Sequence, residues 1–314
     1  MFRILKAGKF TILAILIVAL IYAFAHRGML SLKLFALTLG DIELGEVYKE
    51  KEGVQWYDDY FTIEYIDAQT IAIGEPRYWQ ANYNYLILGN TRAILFDSGP
   101  GVRDLSELVK SLTDLPVTVV SSHLHFDHVG NHDKFENIAL IDLPHLREIV
   151  ENGSLQLSDE QHLGFLEALP RPVLAIDEWW PVNEWQDIGG RQLKVLHAPG
   201  HTRDSMILYD AERAQLFTGD FIYPGPLFAY LPGSDLDDYR NTTIELLDLI
   251  NSESILLTAH RSKAPGAPLL RGHDLEDLLL TLKEIKSGTR KGKGVFPVTY
   301  KVNDEIDLLT DISW

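Results

Sequence analysis

The stretch "SSHLHFDHVGNH", residues 121–132, sets four histidines and an aspartate within ten positions of a chain that holds 11 histidines in all. It is either a polar surface turn or part of a metal cradle whose remaining ligands come from elsewhere in the chain. The preceding "PVTVV" (116–120) reads as a buried strand, so the histidines sit where a strand gives way to a loop. That is the usual place for chemistry in α/β proteins. Working outward, three more strand-like runs end in metal-type side chains: "HAPGHT" supplies His201, "FTGD" supplies Asp220 and "LLTAH" supplies His260.

Within the first stretch, alternation lets His123 and His125 face one way, and a tightening turn brings Asp127 and His128 to a neighbouring spot. Seven such ligands exceed the needs of one tetrahedral zinc. They suit two ions roughly 3.5 to 4 Å apart that share a carboxylate. With no cysteine in the chain, thiolate ligands, cysteine nucleophiles and disulfides are excluded. Two Zn2+, with Fe or Mn as substitutes, match an all-His/Asp set.

Around this site the pattern alternates between short strands and helices. "YFTIEYIDAQTIAIG" and "NYNYLILGNTRAILFDSG" are rich in β-branched and aromatic residues, with a hairpin turn at Gly89-Asn90. "VRDLSELVKSL" and "HDLEDLLLTLKEIK" carry helical periodicity, as does "DDYRNTTIELLDLI". Residues 144–187 break the alternation and read as an inserted lid or specificity segment within a hydrolase domain spanning 55–314. Two halves of strands followed by helices predict two facing sheets with helices outside.

The N-terminus is of another character. Arg3, Lys6 and Lys9 precede an uncharged run from Phe10 to Ala25, which as a helix covers roughly 24 Å, just short of a ~30 Å bilayer core. A signal-anchor over residues 1–30, followed by a membrane-proximal linker over 31–54, is the expectation. The basic head orients the catalytic domain to the extracytoplasmic side. Cleavage after Ala23-Phe24-Ala25, giving a secreted or periplasmic form, is the alternative. A formal charge of -17 argues against nucleic acid as a partner; the oligomeric state is open.

The motifs "HLHFDH", "PGHT", "TGD" and "TAH", in that order, resemble the metallo-β-lactamase fold hydrolases over roughly residues 55–285. The resemblance implies a four-layer αββα sandwich. It also implies one metal held by His123, His125 and His201, and a second by Asp127, His128 and His260, with Asp220 bridging. Here Ala259, Asn131 and Asp204 stand where the family usually has glycine. His197 is expected to support the site rather than ligate, and His132, His145, His162 and His273 to be ordinary core or surface histidines.

The stretch from Asp187 to Pro232, with Tyr223 three residues past Asp220, is similar to the acyl-CoA thioesterase branch and to the N-acyl-homoserine lactonases. By that resemblance a metal-bridging hydroxide attacks a thioester, lactone or carboxylic ester. The Tyr223 hydroxyl would contact the substrate carbonyl, and Asp127 would shuttle the proton. A phosphodiesterase of the same fold and a non-catalytic metal-stabilised binding module are the rival readings. A lipophilic small molecule is the expected partner, with Trp179, Trp180, Trp185, Phe165, Leu227, Phe228 and Tyr230 as a candidate acyl wall. Arg203, Arg240, Arg261 and Lys263 are either phosphate-binding or solvated charges.

Overall fold

The computed structural model describes residues 15–38, 42–47, 49–261 and 265–311. Lys263, the basic residues Arg3, Lys6 and Lys9 and the start of the apolar run lie outside them. Strand runs that are apolar at nearly every position need cover on both faces, and the chain meets that need with two facing sheets. The first has eight strands, ordered Val54–Trp56, Thr62–Asp67, Thr70–Glu75, Asn82–Leu88, Ala93–Phe96, Val117–Val120, Asn137–Asp142 and Glu178–Pro181. The second has six, ordered Trp185–Asp187, Gln192–His197, Met206–Asp210, Gln215–Gly219, Ile255–Thr258 and Leu269–Arg271.

Alternation within each strand divides the core into layers. Tyr85, Ile94, Phe96 and Val120 from the first sheet meet Val195, Leu208, Phe217 and Leu257 from the second. Their neighbours in the first sheet, Leu86, Leu95 and Val119, face outward to Leu105, Leu108 and Val109 at the helix Ser106–Leu112. On the other side Leu196, Ile207, Leu216 and Leu256 pack on the helices Leu236–Leu249 and Gly272–Lys286. The result is the expected helix–sheet–sheet–helix sandwich. The Gly89-Asn90 turn also forms, between antiparallel strands, and Gly89 is required there because a Cβ would sit 1.9 Å from the Ile188 carbonyl oxygen.

Three details differ from the sequence expectation. The run 144–187 is not one insert. Its first part forms a short helix, Pro144–Arg147, and a small sheet of Val150–Glu151, Ser154–Gln156 and Val173–Ala175, whereas Glu178–Pro181 and Trp185–Asp187 are edge strands of the two main sheets. The tryptophans follow: Trp180 is buried between the sheets, and Trp179 stacks under Arg147.

The N-terminal boundary at residue 30 cuts through a helix, Arg27–Ala36, whose Leu32 is buried in the domain core. Among the described residues no single helix is long and apolar enough to cross a membrane. Ile15–Ala25 and Arg27–Ala36 reach that length and composition only as a pair, bent by 81°. Finally, the tail, which the sequence left unassigned, forms strands: Val298–Lys301 and Ile306–Thr310 join Gly225–Ala229, the strand after Tyr223, in a three-stranded sheet.

Candidate active site

All seven proposed ligands are buried and meet at one edge of the sandwich. Ligand atoms of His123, His125 and His201 lie within 4.8 Å of one another, as do those of Asp127, His128 and His260, and those of His123, His128 and Asp220. Asp220 joins the halves. Its Oδ1 is 3.0 Å from Nε2 of His260 and 3.4 Å from Nε2 of His128, while Oδ2 is 3.6 Å from Nε2 of His201. Gly219 makes this placement possible: its φ is +52°, and a Cβ would lie 2.3 Å from Ser122.

Four of the five histidines have their outward nitrogen tethered, which fixes which nitrogen faces the centre. Nδ1 of His201 donates to the Phe228 carbonyl at 3.0 Å, and Nδ1 of His260 to the Gln80 carbonyl at 3.1 Å. Nδ1 of His128 donates to Oδ2 of Asp97 at 3.0 Å, and Nδ1 of His123 lies 3.0 Å from the Ser122 hydroxyl. Inside, Nε2 of His128, Nε2 of His260 and Oδ1 of Asp220 are buried and approach one another, yet none of them meets hydrogen-bond geometry. Orphaned buried polar atoms are costly, and a cation between them removes the cost. The donor set fits a metal pair.

Electrostatics split the site. Burial, then repulsion among the neighbouring imidazoles, holds His123 well below the usual imidazole range and His125 down to about 3; His201 is lowered chiefly by burial. Burial also opposes charge on His128 and His260, but the surrounding carboxylates outweigh it. Asp127, Asp97 and Asp220 raise His128 well above its ordinary value, and Asp220 and Asp127 push His260 up to about 10. Against their own burial, the carboxyls of Asp127 and Asp220 are held well below the usual range by His128 and His260. Three imidazoles thus offer lone pairs, and the other half concentrates negative charge that wants a cation.

Beside the ligands is an apolar cleft. Leu32, Phe35, Trp79, Phe126, Leu163 and Phe228 are among its walls, and His125, Asp127, His201 and Asp220 form its floor. Phe228 and Tyr230 line it as expected. The other proposed wall residues do not: Trp179, Trp180, Trp185, Phe165 and Leu227 lie outside the lining, and Leu227 is core. Tyr223 is buried with its ring 5.0 Å from that of His260, and its hydroxyl donates to the Pro226 carbonyl at 2.5 Å. That proton is directed into the loop and not toward the cleft. Arg261 is a buried partner of Glu50 at 2.7 Å, and Arg240 pairs with Asp237 at 3.0 Å. His197 ties down the loop bearing His201 through the Arg203 carbonyl at 2.8 Å.

Several supports went unrecognised in the sequence. Asp97 accepts from the Ser122 amide at 2.6 Å as well as from His128; its position after the strand Ala93–Phe96, in "ILFDSG", was a usable signal. Asn82 donates to the Asp127 main chain at 2.8 Å. The departures from glycine also have roles. Asp204 accepts from the Leu124 amide at 3.0 Å, and Asn131 donates to the carbonyls of Ser98 and Arg103.

A helix–sheet–sheet–helix sandwich with a seven-residue His/Asp centre at its edge defines a metal-dependent hydrolase. The family model described as the metallo-beta-lactamase superfamily matches residues 77–287, and the chain belongs to that superfamily. It is 30% identical over 193 residues to the acyl-coenzyme A thioesterase MBLAC2 of Homo sapiens and to that of Bos taurus, covering 53% of this chain and 67% of each relative. Among solved structures, the metallo-beta-lactamase from Pontibacter korlensis superposes with a TM-score of 0.54 at 18% identity, covering 71% of this chain and 99% of that one. That likeness shows the fold alone.

Proposed function

We propose that this protein is a dinuclear metal hydrolase that cleaves the thioester of a long-chain acyl substrate. The observation that carries the proposal is the apolar cleft whose floor is the ligand cluster itself. It favours an acyl chain over a phosphodiester, because away from the ligands the lining is mostly apolar and offers no lysine or arginine to a phosphate. The kinship with acyl-coenzyme A thioesterases points the same way.

His123, His125 and His201 would hold one ion, and Asp127, His128 and His260 the other, with Asp220 shared; zinc suits a set of nitrogen and oxygen donors. When bound, such a pair acidifies water and polarises a carbonyl. The chain's own residues do the rest. Phe126, Leu163 and Phe228 exclude solvent and align the acyl chain. Asp127, present both in the cleft floor and in the ligand cluster, is the carboxylate placed to accept the proton of the attacking water. A departing thiolate needs little further help. Asn82 and Asp97 keep Asp127 and His128 in place.

The test is hydrolysis by the purified, zinc-loaded chain of palmitoyl-coenzyme A, an N-acyl-homoserine lactone and bis(p-nitrophenyl) phosphate. Preference for the thioester is expected; turnover of the phosphodiester alone would overturn the proposal. The same reading includes attachment to a membrane, supported by the apolar run that ends at Ala25, with the catalytic domain on the extracytoplasmic side.

A further inference from the structure

The helix Ile15–Ala25 exposes apolar side chains on every face, from Ile17 at 48% to Leu20 at 69%. A second protein would cover one stripe of such a helix, whereas uniform apolar character, with no charged residue from Phe10 to Ala25, matches hydrocarbon. At His26 the chain turns through 81° into Arg27–Ala36, and this second helix is fixed to the catalytic domain. Leu32 enters the core, Arg27 pairs with Asp311, and Gly28 lies so close to Tyr230 that a Cβ would be 3.1 Å from its carbonyl oxygen.

The fixed helix is also a wall of the active site, because Leu32 and Phe35 line the cleft over His125 and Asp127. Phe35 and Trp79 of the cleft lining are half exposed or more, and so are Leu34 and Leu37, which flank Phe35 in the chain. An apolar patch of this kind, with a tryptophan in it, is typical of an interaction surface at a membrane boundary. The cleft itself is narrow, about 110 Å³, below the roughly 300 Å³ at which pockets for whole drug-sized ligands begin. It holds only the carbonyl end of a long acyl chain. The remainder must lie outside, over Phe35 and toward the exposed helix.

We propose that Ile15–Ala25 embeds in a lipid bilayer and thereby sets the cleft mouth against the lipid surface. Long-chain acyl substrate then enters laterally from the membrane, with Leu32 and Phe35 selecting for chain length. This rests on the hydrolase reading above and names where its substrate comes from.

The experiment uses the full zinc-loaded chain with phosphatidylcholine vesicles, a palmitoyl thioester dissolved in them and a butyryl thioester in water. Co-sedimentation with vesicles is expected. The double variant Ile17→Lys, Ile21→Lys should lose it and should hydrolyse the vesicle-borne substrate at least about tenfold more slowly, with butyryl turnover unchanged. Phe35→Ala should lower the palmitoyl-to-butyryl ratio of kcat/KM by about tenfold. Failure of the parent chain to bind vesicles would overturn the proposal. So would equal turnover of the vesicle-borne substrate by the double variant, an unchanged ratio in Phe35→Ala, or a mature N-terminus beginning after Ala25. Hydrolysis of neither substrate by a chain that does bind vesicles would overturn the thioesterase reading while leaving the lipid surface in place.

Discussion

The floor and the rim of the active site are built by opposite means. The floor gathers seven buried polar side chains from four strand ends, and four of its five histidines are tethered from behind. The rim gathers apolar side chains from the N-terminal helix, from Trp79, from residues near the helix Asp159–His162 and from the strand after Tyr223, partly exposed and with few polar ties. A floor of this kind fails all at once when one ligand goes. A rim of this kind is adjustable, so catalysis and specificity should separate under mutation.

The largest expected effect is on the floor. His260→Ala or Asp220→Asn should lower kcat roughly a thousandfold, since ligand loss removes several kcal/mol of transition-state stabilisation; steady-state kinetics at saturating zinc would check it. A loss confined to KM would erase the distinction between floor and rim. Next comes a contrast between tryptophans. Trp180→Ala should cost about 3 to 5 kcal/mol of stability by emptying core volume, read by denaturant unfolding. Trp79→Ala, at an exposed position, should leave the unfolding midpoint nearly unchanged and raise KM for long acyl chains several-fold.

Glu75 sharpens the comparison from beneath the floor. Its buried carboxyl accepts from the Tyr60 hydroxyl and the Asn84 amide, both of which favour the charged form, yet burial outweighs them and pushes its pKa up to about 7. A carboxyl raised on folding contributes stability fully below its unfolded value, near 4.5, and that contribution is lost as pH rises through about 7. The loss is up to about 3 kcal/mol by linkage. Glu75→Gln should flatten the decline in unfolding free energy between roughly pH 5 and 8; an unaltered slope would mean the decline comes from another group. The smallest effect on the floor should be Asp97→Asn, which weakens metal affinity by about 10- to 100-fold while leaving all ligands in place. A zinc-buffer titration would measure it.

The same contrast explains what was legible in the sequence. His123, His125, Asp127, His128, His201, Asp220 and His260 stood out because metal ligation demands rare residue types at strand ends, and strand ends can be read from apolar runs. The two sheets were legible for a related reason, since runs buried on both faces lack the alternation of surface strands. The rim was not. Trp180 and Phe35 are both large and apolar, and nothing local tells one that fills the core from one that lines a cleft. That difference depends on the pairing of Glu178–Pro181 with Asn137–Asp142 and on the packing of Arg27–Ala36 against the catalytic domain. Both are contacts between distant segments. Tyr223 shows the limit of spacing alone: it stands three residues past Asp220, as the resemblance requires, but its hydroxyl serves Pro226.

The most direct test of the two-ion centre is metal stoichiometry on the full chain, stripped with chelator, reloaded with zinc and freed of excess. Two equivalents per chain in the unsubstituted protein and one in His260→Ala are expected. A single equivalent in the unsubstituted protein, or none, would contradict the shared placement of Asp220 and the hydrolytic function built on it.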